Sequence, residues 1–155
     1  MTAKLRFASL AMMSVMAVLG TTNQVWADKG QQQLELKARL NKQINGFEAE
    51  LRGDYRERPG RDRLNAELEK INIPAGTPIA FCVLHHSVQT LIGVANVARV
   101  GGVLQVQIEL EGEDGDAVPK VVAGDSLQAH QQTAAPFSPD PTCADANLIS
   151  APFKK

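Results

Sequence analysis

Aromatic side chains are scarce in this 155-residue chain, which has one tryptophan, one tyrosine and five phenylalanines. Trp26, Phe7 and all four methionines fall within the first 27 residues. Beyond that segment the rings are Phe47, Phe81, Phe137, Phe153 and Tyr55. Platforms that stack bases or sugars need exposed rings, so both ligand classes lose their usual support. Copper ligation by thioethers is excluded on the same ground. An excess of one charge is lacking too. Setting aside Lys4 and Arg6 leaves 14 basic against 17 acidic residues, a net charge of −3 with histidine neutral. Phosphate backbones require a basic stripe, and none is present, so no nucleic-acid partner is expected. No apolar run reaches the roughly 20 residues that cross a bilayer as a helix.

The first segment has a shape of its own. Lys4 and Arg6 precede an apolar stretch over 7–20, and Val25-Trp26-Ala27 suits a cleavage site. Residues 1–27 are therefore expected to be a secretory signal peptide, with no cysteine at the cleavage point to carry a lipid. A polar leader over 28–33 and one domain over 34–155 would follow, periplasmic or secreted and without a transmembrane segment.

The domain reads as strands. Leu34, Leu36, Ala38 and Leu40 alternate with Glu35, Lys37 and Arg39, a period of two. Asn45-Gly46 marks a tight turn, after which Ala49, Leu51, Gly53 and Tyr55 alternate with Glu50, Arg52, Asp54 and Arg56. Pro59-Gly60 leads into a third segment over 63–73. There Leu64, Leu68 and Ile71 also fit helical spacing, and a β-bulge near Glu69-Lys70 keeps the segment a strand. The apolar run 79–84 suits a central strand and 85–89 a connection. Strands over 91–100 and 103–111 meet at Gly101-Gly102, a two-residue hairpin signal. A polar, acidic connection over 112–124 precedes a short strand over 126–130. Pro136, Pro139 and Pro141 make an extended loop before a last strand over 147–153. The expected fold is all-β, an antiparallel β-sandwich of about eight short strands.

Two cysteines, Cys82 and Cys143, in an exported chain predict a disulfide. The acidic stretch from Glu109 to Asp116, with Glu113, Asp114 and Asp116 around Gly115 and Asp125 further on, is the candidate calcium site. It matches no EF-hand loop, and a solvated turn is the plainer reading. His85 and His86, with His130, are candidate transition-metal ligands: as neighbours on a strand the first two point to opposite faces, in a loop both could reach one ion, and two exposed loop histidines are the plainer reading. For hydrolysis the chain offers Ser87, Ser126, Ser138 and Ser150, without a Gly-x-Ser-x-Gly elbow. Arg52, Arg56, Arg58, Arg61 and Arg63 surround Pro59-Gly60, interleaved with Asp54, Glu57 and Asp62. Such guanidinium forks suit anions, and the interleaved acids suit pairing within the chain.

The runs Leu64-Asn65-Ala66-Glu67-Leu68, Asn72-Ile73-Pro74-Ala75-Gly76-Thr77, Ile92-Gly93-Val94-Ala95, Gly115-Asp116-Ala117-Val118-Pro119 and Ala123-Gly124-Asp125 together resemble a loosely defined group of exported bacterial β-sandwich proteins of unknown function. The likeness spans most of 34–153. Its turn motifs imply a fold and transfer no catalytic or cofactor-binding residue. His85-His86 and the proline-rich loop with Cys143 depart from the pattern.

The expectation that follows is a non-catalytic, exported module acting on an envelope protein or surface, without a cofactor. Self-association through an edge strand over 34–40 is a variant of it. The alternatives are a calcium- or transition-metal-binding periplasmic protein and, more remotely, a hydrolase.

Overall fold

The computed structural model describes residues 33–132 and 143–155. The expected signal peptide, most of the polar leader, Ser138 and the prolines at 136, 139 and 141 lie outside the described residues. Nine strands account for the described chain: β1 (Leu34–Ile44), β2 (Phe47–Glu57), β3 (Arg63–Glu69), β4 (Pro78–His85), β5 (Val88–Asn96), β6 (Ala98–Val100), β7 (Val103–Glu111), β8 (Ser126–Gln131) and β9 (Asn147–Lys154). A single turn of 3₁₀ helix, Gly112–Asp114, follows β7, and no described helix is long and apolar enough to cross a membrane.

Alternation builds each strand. In β2, Ala49, Leu51, Gly53 and Tyr55 are buried while Glu50, Arg52, Asp54 and Arg56 face outward. The same pattern puts Leu36 and Ala38 of β1, Leu64, Ala66 and Leu68 of β3, and Ile149, Ala151 and Phe153 of β9 into one core. Asn45 and Gly46 both adopt positive φ (50° and 81°), the two-residue hairpin turn that their sequence signals.

All neighbours are antiparallel, in the order β5-β4-β8-β9-β1-β2-β3-β7-β6. The two ends of that order belong to one piece of chain, since only Val97 separates β5 from β6. The sheet therefore curls until its edges approach. Val97 is buried, its N–H bonded to Thr77 O at 2.9 Å and its carbonyl to Gly76 N–H at 2.8 Å. Those bonds pull the chain out of one edge and into the other. Across the curl, β2 meets β8 and β9, where Gly53 leaves room for Leu127 and Phe153.

Four expectations are corrected. The expected strand over 91–100 is split at Val97, so nine strands replace eight. The third segment ends at Glu69 without a bulge, because Lys70 takes a left-handed φ of 56° and turns the chain while Ile71 and Ile73 stay buried. The connection over 85–89 shrinks to His86-Ser87, the turn between β4 and β5. The N-terminal strand is no edge: β1 lies between β2 and β9. Its ladder to β9 covers only Lys37 and Ala38, and next in line stands Pro152, which has no N–H to donate. The edges are β5 and the three-residue β6.

The outer face of β4 and β8 is covered as well. Ala80, Cys82, Gln128 and His130 point away from the core and are still buried. Cys82 is joined to Cys143 with a Cα–Cα separation of 6.1 Å, and His130 Nδ1 bonds Asp145 O at 2.7 Å. These two ties strap the chain after residue 142 across the sheet.

Candidate functional site

A two-residue hairpin of the type I′ kind requires positive φ at both turn positions, which is why Asn-Gly is favoured there. Between β4 and β5 the turn is made by His86 (φ 45°) and Ser87 (φ 78°), neither of which is glycine. Leaving the strand at His86 brings its ring beside that of His85, with centroids 4.1 Å apart and planes at 64°. His85 is the last residue of β4 and His86 the first of the turn, so the opposite-face arrangement of neighbours within a strand does not apply to them.

His85 is fixed from the other side by β8. The pairing of Leu84 with Ser126 sets His85 next to Asp125, and His85 Nδ1 lies 2.6 Å from Asp125 Oδ1. Asp125 is 5% exposed. Its Oδ2 accepts the Val122 N–H at 2.9 Å, its carbonyl accepts the Phe153 N–H at 2.7 Å, and its own N–H donates to Val122 O at 3.1 Å. A carboxylate only accepts, so the shared proton sits on Nδ1, which leaves Nε2 as the ring nitrogen not engaged by Asp125. The His85 side chain is 46% exposed, so Nε2 belongs to a group open to solvent.

An Asp–His pair is two parts of a hydrolytic triad. Ser87 and Ser126 adjoin it in sequence, yet neither hydroxyl is hydrogen-bonded to His85 among the described residues. Ser150 lies on β9, opposite Gln128. Among the described residues no nucleophile is bonded to the base, the part that defines a triad.

His130 stands apart from the other two histidines, toward the far end of β8 and buried. Its Nδ1 donates to the Asp145 carbonyl, and Nε2 lies 3.3 Å from Gln128 Oε1, which also accepts from Gln89 Nε2 at 2.8 Å. This chain from β5 through β8 to the strap is structural. It went unseen in the sequence because nothing local marks Gln89 and Gln128 as partners.

The acidic turn does not close into a cage. Glu113 pairs with Arg61, Glu109 and Glu111 pair with Arg63, and Asp116 Oδ2 accepts the Glu111 N–H at 3.0 Å. Asp114 is exposed, and Asp125 is engaged with His85 instead. Among the described residues no three His, Cys, Asp or Glu side chains converge on one point.

Four of the five arginines do converge. Arg56, Arg58, Arg61 and Arg63 line a cleft of about 160 Å³ together with Asp62, Glu111 and Glu113. The acids neutralise much of that charge, through the pairs already named and through Arg56 to Glu35 at 3.8 Å. Arg52 lies elsewhere, bonded to Glu50 at 2.7 Å and within 3.3 Å of Glu69 and 3.9 Å of Glu67. The Arg52 hydrogen bond, with Lys70 adding to it, holds the Glu50 carboxyl below the usual range. Burial, and then the Glu69 charge, push Glu67 up.

No family model, no curated protein and no solved structure matches this chain.

Proposed function

We propose that this chain is an exported β module of the cell envelope, periplasmic or secreted, that works by contact with an envelope protein or surface rather than by catalysis. In this reading the curled sheet acts as a β-sandwich, with β8 and β9 lying over β2. The Cys82–Cys143 bond carries the proposal. It fastens the strap that covers the outer face of β4 and β8, and such a bond persists in oxidising compartments. The open, ion-paired character of the arginine cleft supports contact rather than enclosure of a small substrate.

The test is to express the chain with residues 1–27 attached, fractionate the cells, and alkylate thiols with and without prior reduction. Recovery in the periplasm or medium, with both cysteines blocked until reductant is added, is the expected result. A cytosolic protein with two freely reactive thiols overturns the proposal.

A further inference from the structure

The β4–β5 turn unites three features that a plain hairpin does not need. Its two central residues hold left-handed backbone without being glycine, a costly arrangement of the kind that collects at functional positions. The turn presents two imidazoles side by side at the surface. Behind one of them stands a buried carboxylate whose second oxygen is already held by a backbone N–H.

A metal-binding histidine characteristically donates its second ring N–H to a carboxylate, which sets the tautomer and aims the free nitrogen outward. His85 and Asp125 have that relationship, with the proton on Nδ1 and Nε2 left as the nitrogen that an ion would take. Two nitrogens bound to one ion at about 2.0–2.1 Å each are at most about 4 Å apart, so neighbouring rings are required. The His85 and His86 rings are such neighbours, packed edge to face with centroids 4.1 Å apart, and turning the exposed His86 ring about its side-chain bonds would bring one of its nitrogens toward an ion held at His85 Nε2. We propose that His85 and His86 form a two-imidazole site for a divalent transition-metal ion, Cu(II) or Zn(II), with Asp125 as the positioning carboxylate and water in the remaining positions.

Imidazole suits these ions, and Cu(II) binds such ligands more tightly than Zn(II). His130 takes no part, because its Nδ1 is committed to Asp145 and it is buried at the other end of β8. The arginine-bound acids of 109–116 take none either. The site does not rest on the envelope reading and can fail or stand independently of it.

The test compares the oxidised wild type with H86N/S87G and D125N by calorimetric titration with CuCl₂ and ZnCl₂. Asn-Gly is the preferred pair for this turn, so H86N/S87G is expected to melt at a higher temperature without metal, which reports an intact fold. It is also expected to lose at least about tenfold in affinity for both ions, because one of the two ligands is gone. D125N is expected to bind about 10- to 100-fold more weakly, the usual effect of removing an orienting carboxylate. Electron paramagnetic resonance of the copper-loaded wild type should show two coupled imidazole nitrogens, and one in H86N/S87G. Wild-type affinity in H86N/S87G, an unchanged nitrogen count, or no stoichiometric binding by the wild type overturns the proposal.

Discussion

Gly53 of β2 lies directly against Leu127 of β8: a Cβ built on Gly53 would stand 2.7 Å from Leu127 Cδ2 and 3.2 Å from two atoms of the Phe153 ring. The two halves of the curled sheet touch through the missing side chain. Gly53→Ala should therefore destabilise the protein by about 1–3 kcal/mol, the usual cost of overpacking, and Gly53→Val by more. Combining Gly53→Ala with Leu127→Val should recover part of the loss. Urea denaturation of the three variants checks this, and a Gly53→Ala variant as stable as the wild type would contradict the close approach.

The Cys82–Cys143 bond closes 61 residues of chain. By loop entropy its loss should cost about 4 kcal/mol. Reduction, or Cys82→Ser with Cys143→Ser, should lower the urea midpoint accordingly. The strap and the hydrogen bond from His130 to Asp145 should loosen first, with faster amide exchange at residues 143–147 than in β2.

Tyr55 is fully buried, and among the described residues its hydroxyl has no hydrogen-bond partner of good geometry. Burial raises its pKa from 10.0, with the Glu57 and Asp62 charges pushing the same way and the Val121 backbone opposing. A group with a raised folded pKa contributes fully below its unfolded pKa, and that stability is lost as pH climbs toward the folded value. The wild type should thus weaken above about pH 10, and Tyr55→Phe should not show that component. At neutral pH the variant should match or exceed the wild type, since an unsatisfied hydroxyl is removed. As the sole tyrosine, Tyr55 allows phenolate absorbance to report the titration directly.

Arg52 holds Glu50, Glu67 and Glu69 together on the outer face. Arg52→Ala should leave these carboxylates opposed chiefly by Lys70, which reaches Glu50 at 3.2 Å. A loss of about 1 kcal/mol is expected at neutral pH. The depressed Glu50 pKa means that its contribution exists above the ordinary carboxylate range and disappears as pH falls through the folded value. The difference between variant and wild type should shrink in acid, which melts at neutral and acidic pH will measure.

Much of the strand pattern is legible in local sequence. The Asn45-Gly46 and Gly101-Gly102 turns carry the residues that positive φ demands, and the inward sets of β1, β2 and β3 follow from a two-residue period. The errors have a common cause. Lys70 and His86 adopt left-handed backbone that neither residue type advertises, so the end of β3 and the shortness of the β4–β5 turn are set by their surroundings. Val97 carries no turn signal at all. It divides β5 from β6 because Thr77 and Gly76 bind its backbone.

The candidate site divides in the same way. His85 and His86 stand out as neighbours in any reading of the chain, but Asp125 is 40 residues away and reads as part of an acidic turn. The β4–β8 pairing alone delivers it to His85. The arginines of 56–63 are evident as a cluster, whereas the acids that neutralise them come from β7 and the turn after it, through the β3–β7 ladder, and from Glu35 of β1.

The sequence by itself determined the all-β class, the inward face of most strands and the two cysteines available for pairing, because alternation and turn chemistry act over a few residues. Tertiary structure alone decided the strand order, the curl that joins β5 to β6, the Cys82–Cys143 strap and the union of His85, His86 and Asp125. Each of these depends on which distant strands bury one another's faces. That choice is made by the core as a whole and leaves no local mark.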